Sequence, residues 1–249
     1  MNDSNRPQVE KRCPGRRRFL TGLGVTGAVG SVSGGWGSRL AYAADTMTRE
    51  QRDKLTPDQI IELMQQGNKR FLKGAQPTHN YIEQQRAVAN DQHPAAVILS
   101  CIDSRAPAEI IMDLGIGDVF NSRVAGNISN SDIVGSMEFA CKAAGAKVVL
   151  VMGHTSCGAI KGAIDGVMLG NLTGLLAKIR PAVEATIFKG DHSSTNLAFV
   201  DAVAVKNVEL TIKAIRASSA VLRDMESAKA IKIVGAVYNL ETGVVDFRV

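Results

Sequence analysis

A mainly parallel α/β sheet flanked by helices, with a helical arm before it, is the fold that this chain of 249 residues predicts. Three observations point to it. Ala95–Leu99 and Val148–Met152 are continuous apolar runs, the pattern of strands buried on both faces, as in a parallel sheet. Strand-like runs alternate with helix-like ones along the chain, which is how crossover connections read. The composition, 45% hydrophobic with only 4% aromatic, supplies one aliphatic core and too little for two large domains.

Each element has its own signal. Thr56-Pro57-Asp58-Gln59 starts a helix, with Thr as N-cap, Pro in the first turn and Gln at the third position. Ile60, Leu63, Met64 and Phe71 follow at helical spacing, and Gly74 and Pro77 end it. Residues 81–90 predict a second, polar helix. These two form an arm suited to packing on a neighbour. Ala95–Cys101 is the first central strand, Pro107 opens a short helix to Met112, and Gly115 and Gly117 turn the chain into a second strand, Asp118–Ala125. Ser131–Ala144 reads as a helix with Ile133, Met137, Ala140, Cys141 and Ala144 on one face and Gly145 as its stop. Lys147–Gly153 is the third strand. A helix starts near Ser156, another spans Asn171–Ala185 and a long one Asn196–Ala217. Ile231–Tyr238 and Val244–Val249 are the last strands, joined by the turn Glu241-Thr242-Gly243.

The first 43 residues read as an address. Gly15-Arg16-Arg17-Arg18-Phe19-Leu20 is a twin-arginine pattern, no charge occurs from Phe19 to Ser38, and Ala41-Tyr42-Ala43 offers a small-x-small cleavage site. Seven glycines among those twenty uncharged residues argue against a stable membrane anchor. Gly22, Gly24 and Gly27 match a dinucleotide fingerprint by letter, but that fingerprint needs a strand before it and a helix after it, and here a basic segment precedes and a cleavage site follows. The segment carries seven basic and two acidic residues, hence all of the net charge of +5. From Ala44 onward the charges balance, so the rest has no electrostatic footprint for nucleic acid. The organisation is therefore 1–43 signal peptide, removed on export through the twin-arginine machinery; 44–55 flexible new N-terminus; 56–249 one domain. The destination is the periplasm or the exterior of a bacterium.

Both apolar runs end in chemistry. Ser-Cys-Ile-Asp-Ser-Arg at 100–105 follows the first, Gly-His-Thr-Ser-Cys at 153–157 the second. In open α/β sheets the site lies beyond the carboxyl ends of the strands, so Cys101, Asp103, Arg105, His154 and Cys157 share one rim. Two Cys and one His make a three-ligand zinc set with the fourth position open, as in catalytic rather than structural sites. Cys157 falls at a helix start, which favours its thiolate. Asp103 lies on the same side of an extended chain as Cys101, and Arg105 is placed to pair with it. Asp103 either ligates zinc or stays with Arg105 and leaves the fourth position to water. The bland alternative is a Cys101–Cys157 disulfide, with Cys141 packed as a small core residue.

These two runs resemble the hallmark of the β-class carbonic anhydrases, Cys-x-Asp-x-Arg followed by His-x-x-Cys. The resemblance extends from about Thr56 to the C-terminus and includes Pro107-Ala108-Glu109, Gly117-Asp118-Val119-Phe120, Arg123-Val124-Ala125-Gly126-Asn127 and Gly158. It implies one zinc ion per subunit held by Cys101, His154 and Cys157. Asp103, oriented by Arg105, would accept a hydrogen bond from zinc-bound hydroxide, which attacks carbon dioxide to give bicarbonate. It places Gln92, Phe120, Phe139 and Gly158 at the substrate pocket, with Phe139 where many members have Tyr. An inhibitory bicarbonate pocket of one subclass needs a Trp where this chain has Ile98, beside an Arg that Arg123 matches. Family members are homodimers or larger assemblies with active sites at the subunit contact. His79, His93 and His192 are the proton-shuttle candidates by chemistry alone. Two rival functions share the zinc motifs: a carbon disulfide or carbonyl sulfide hydrolase, and a zinc-binding homologue without turnover.

Overall fold

The computed structural model describes residues 46–247, so the signal peptide expected at 1–43 lies outside the described residues. Five strands form one sheet in the order β2-β1-β3-β4-β5. They are β1 (Ala96–Ser100), β2 (Val119–Arg123), β3 (Val148–His154), β4 (Lys232–Tyr238) and β5 (Val245–Phe247). The first four run parallel and β5 pairs antiparallel with β4.

Every residue of β1 and β3 is buried, because helices cover both faces. Successive side chains point to opposite faces. Ala96, Ile98, Val148, Leu150 and Met152 pack on one side with Ile60 and Met64 of α2 (Pro57–Leu72) and with α4 (Ala108–Ile111). Val97, Leu99, Val149 and Val151 pack on the other with α5 (Ser131–Glu138), α9 (Leu197–Ser218) and α10 (Ala220–Ser227). Burying each such aliphatic side chain stabilises the fold by about 1.5–3 kcal/mol. A third apolar cluster, with Ile160, Leu176, Ile179 and Phe199, lies beneath Cys101 and Cys157.

The structure departs from the expectations in four places. The stretch 44–55 holds a helix that was not expected: Arg49–Lys54 forms α1, begun by a capping box between Thr48 and Gln51. Arg52 is buried there because its guanidinium pairs with Asp53 and donates to the Ala144 carbonyl. The Asn171–Ala185 helix is two, α7 (Gly170–Ala177) and α8 (Arg180–Ala185), because Pro181 starts a new first turn. Ser131–Ala144 is α-helical only to Glu138, and one wider turn, Phe139–Ala143, completes it before Gly145. Helix α10, capped by Ser219, occupies a stretch to which the sequence reading gives no element. The remaining helices, α3 (Tyr81–Ala87) and α6 (Gly158–Ile164), start close to their expected positions.

Candidate metal centre

The parallel register aligns the ends of β1 and β3, with Ser100 opposite Met152. Cys101 leaves β1, His154 ends β3, and Cys157 is the N-cap of α6 three residues on. All three are buried, and their ligand atoms lie within 4.8 Å of one another. A tetrahedral zinc with bonds of about 2.3 Å to sulfur holds its sulfurs about 3.8 Å apart, a spacing within that limit. All three described cysteines are free thiols, and the disulfide alternative is not formed.

The donor chemistry fits the ion. His154 Nδ1 lies 2.9 Å from the Thr155 carbonyl. An acceptor there fixes the proton on Nδ1 and leaves the Nε2 lone pair outward, as on metal-bound histidines. That Nε2 is buried and makes no hydrogen bond of ordinary geometry; the Cys101 sulfur and, at 3.7 Å, Asp103 Oδ2 are its polar neighbours. The two sulfurs lie within hydrogen-bond reach of each other. The Cys157 thiol donates to Cys101 and, with the His154 ring and the Gly126 N–H, lowers the Cys101 pKa against the burial that raises it. The same contact and burial raise that of Cys157, although the N–H groups of Ile160 and Ala159 pull the other way. A divalent cation supplies the charge that releases the remaining proton. Cys141, by contrast, is a plain core thiol pushed up to about 12 by burial.

Asp103 stands over this set. Its Oδ2 is 3.7 Å from His154 Nε2 and 2.8 Å from Arg105, while Oδ1 accepts from the Arg105 Nε and backbone N–H at 2.9 and 3.0 Å. This forked pair holds the Asp103 carboxyl well below the usual carboxylate range. Ile102, between Cys101 and Asp103, is 60% exposed, and a Cβ added to Gly158, next to Cys157, would meet nothing within 4 Å.

The pocket residues expected from the resemblance are not all gathered. Gln92 and Phe139 line one shallow cleft of about 270 Å³, with Arg49 and His93, and no metal ligand borders it. Gln92 precedes β1 whereas Cys101 follows it, so the strand's length separates them. Phe120 meets Phe139 edge-on at a centroid distance of 6.1 Å, on the α5 side of the sheet. Neither His79, His93 nor His192 joins the metal cluster. Arg123 is engaged in holding the ligand loop: it donates to the carbonyls of Cys101 and Asp103.

The sequence reading missed two residues of α9. Asp201 accepts the Ser156 N–H at 2.7 Å, and Asn207 donates to the Gly126 carbonyl at 2.7 Å. Both bind backbone of turns remote in sequence, and no local pattern marks them.

A family model described as carbonic anhydrase matches residues 96–245. Carbonic anhydrase 2 of Mycobacterium tuberculosis is 34% identical over 185 residues, 72% of this chain and 87% of that protein. The carbonic anhydrase of Mycolicibacterium smegmatis is 33% identical over 188 residues, 74% and 90%. Among solved structures, the Coccomyxa β-carbonic anhydrase in complex with acetazolamide superposes with a TM-score of 0.58 at 25% identity, covering 65% of this chain and 75% of that one. A β-carbonic anhydrase of Aspergillus fumigatus gives a TM-score of 0.61 at 24% identity, covering 77% and 89%. The matched segment contains all three convergent ligands and the Asp103–Arg105 pair, and the chain belongs to the β-carbonic anhydrase family.

Proposed function

We propose that the chain interconverts carbon dioxide and water with bicarbonate and a proton, using one zinc ion per subunit held by Cys101, His154 and Cys157. The observation that carries this is the convergence of the three buried ligand atoms, with His154 Nε2 unpartnered, beneath an Asp103 carboxylate already fixed by Arg105. Zinc, when bound, supplies a Lewis acid that makes water a competent nucleophile near neutral pH. Asp103 accepts a hydrogen bond from the attacking water and turns its lone pair towards carbon dioxide. Arg105 keeps that carboxylate ionised and in place, because both its oxygens are already bound. The open space at Gly158, the residue after the ligand Cys157, gives the substrate its approach.

The separation of Gln92 and Phe139 from the ligands of the same chain supports a shared site, in which a second copy brings these residues to the zinc. The working unit is then a homodimer or a larger homo-oligomer. The twin-arginine pattern and the Ala41-Tyr42-Ala43 site support export of the folded protein to the periplasm or beyond. No helix among the described residues is long and apolar enough to cross a membrane.

One experiment tests the reading in separable parts. The full chain is expressed in a bacterium with a twin-arginine pathway, and the exported protein is purified. The expected product begins at Ala44, holds one zinc per chain, runs as two or more chains per particle and hydrates carbon dioxide. Asp103→Asn keeps its zinc and loses about 10²-fold or more in hydration rate, the scale of removing one positioned polar group. Zinc-loaded wild type with no hydration over a broad pH range refutes the enzyme. Retention in the cytoplasm refutes only the address, and a monomer only the shared site.

A further inference from the structure

Helix α9 supplies no metal ligand, yet its side chains reach the backbone behind both ligand-bearing loops. On the His154–Cys157 side, Ser156 has φ of 54°, the left-handed region that a residue with a Cβ adopts at a cost. Its N–H is held at 2.7 Å by Asp201 Oδ1, 45 residues further along the chain. Ser156 immediately precedes Cys157, so its backbone angles set where the Cys157 sulfur points. On the Cys101 side, the Gly126 N–H donates to Cys101 Sγ at 3.3 Å, while the Gly126 carbonyl accepts from the buried Asn207 Nδ2 at 2.7 Å.

The reach of α9 has a visible cause. A Cβ on Gly153 would lie 2.8 Å from Val208 Cγ2, so glycine lets the end of β3 close on the helix beside Asn207. Gly126 is likewise confined: its φ is +65°, and a Cβ there would lie 2.5 Å from Ile179 Cδ1. Asp201 and Asn207 are six residues apart, about 9 Å along the axis. Each acts on one turn.

We propose that Asp201 and Asn207 are positioning residues that set the spacing of the Cys157 and Cys101 sulfurs, and thereby the affinity and geometry of the metal centre. The role rests on the metal-centre reading above and concerns binding rather than turnover. Asp201 offsets the left-handed strain at Ser156, and Asn207 orients the peptide N–H that steadies Cys101. Outer-shell supports of this kind are worth about 10–100-fold in metal affinity.

The test measures zinc affinity by chelator competition, together with the cobalt-substituted absorption spectrum, whose thiolate charge-transfer bands report the sulfur geometry. Asp201→Ala should bind zinc about 10–100-fold more weakly and shift those bands. Asp201→Asn should behave as wild type, because its amide oxygen accepts the same N–H. Adding Ser156→Gly to Asp201→Ala should restore affinity and bands, because glycine holds a positive φ unaided. Asn207→Ala should weaken binding similarly and gain nothing from Ser156→Gly. Wild-type affinity and bands in Asp201→Ala overturn the role of Asp201. So does an affinity loss that Ser156→Gly leaves unrepaired, since that marks general loosening. Failure of the wild type to bind either metal overturns the metal centre itself, and this role with it.

Discussion

Two buried clusters of charged and metal-grade side chains sit in this fold, and they are completed in opposite ways. The metal centre beyond β1 and β3 is left short of partners by the protein: His154 Nε2 makes no hydrogen bond of ordinary geometry, and the sulfurs of Cys101 and Cys157 have each other as neighbours. In the crossover between α4 and β2, buried Asp113 has both oxygens bound, Oδ2 by Arg70 and Oδ1 by His79 at 2.8 Å. His79 Nδ1 meets Gln84, and its ring stacks on Tyr81 at 5.3 Å. This second cluster ties α2 and α3 to the body of the fold and leaves nothing for a ligand. Burial and charge therefore do not mark a site. The difference is whether the protein satisfies its own groups, and an unsatisfied set that converges is the one that binds.

Breaking one cluster at a time should separate function from stability. Cys157→Ser removes a ligand, and its expected effect is the largest. Zinc affinity falls beyond the 10–100-fold typical of outer-shell changes, hydration goes with it, and the metal-free protein unfolds within about 1 kcal/mol of metal-free wild type. Zinc titration and denaturant unfolding of the stripped proteins check both parts. A large loss of metal-free stability would mean that the sulfur also holds the fold.

Asp113→Asn makes the reverse case. Removing one member of a buried pair costs about 3–5 kcal/mol, and the low end applies because the Arg70 side chain keeps 18% exposure. A loss near 3 kcal/mol lowers the melting temperature by about 6–12 °C in a domain of this size. Zinc content and hydration of the folded fraction should not change. A melting curve and a zinc assay on the same sample decide, and loss of zinc at temperatures where the variant is folded would contradict the separation.

What could be read from the sequence divides along the same line. The ligands of the metal centre were legible because each follows a strand whose unbroken apolar run places its end at one rim. The strands themselves needed only local pattern. Residues that act through remote backbone were not legible: Asp201 and Asn207 bind turns 45 and 81 positions away. The break between α7 and α8 was hidden because Leu172, Leu175, Leu176 and Ile179 keep helical spacing up to Pro181. Helix α1 carries the Thr48–Gln51 spacing that Thr56–Gln59 repeats, so its start was readable. Its docking was not, because the burial of Arg52 depends on the Ala144 carbonyl, 92 residues away.

The smallest expected effect comes from Asp118, which sharpens the comparison because it is the incomplete member of the second region. Its Oδ2 accepts the Gly115 N–H at 2.7 Å, but its buried Oδ1 has no partner. Burial raises its pKa to about 6, more than the Gly115 hydrogen bond and the nearby His79 lower it. An unfolded aspartate titrates near 3.9. Between about pH 4 and 6 the folded state thus holds a proton that the unfolded state has lost, and stability falls as pH rises through that window. Two pK units correspond to at most about 3 kcal/mol, fully felt above pH 6. Asp118→Asn removes the titration while its amide oxygen keeps the Gly115 contact. The variant should therefore gain on wild type between pH 4 and pH 8 by about 1–3 kcal/mol, with zinc binding unaltered. Unfolding both proteins across this range gives the answer, and parallel stability curves would show that water reaches Asp118 and that this region too is fully satisfied.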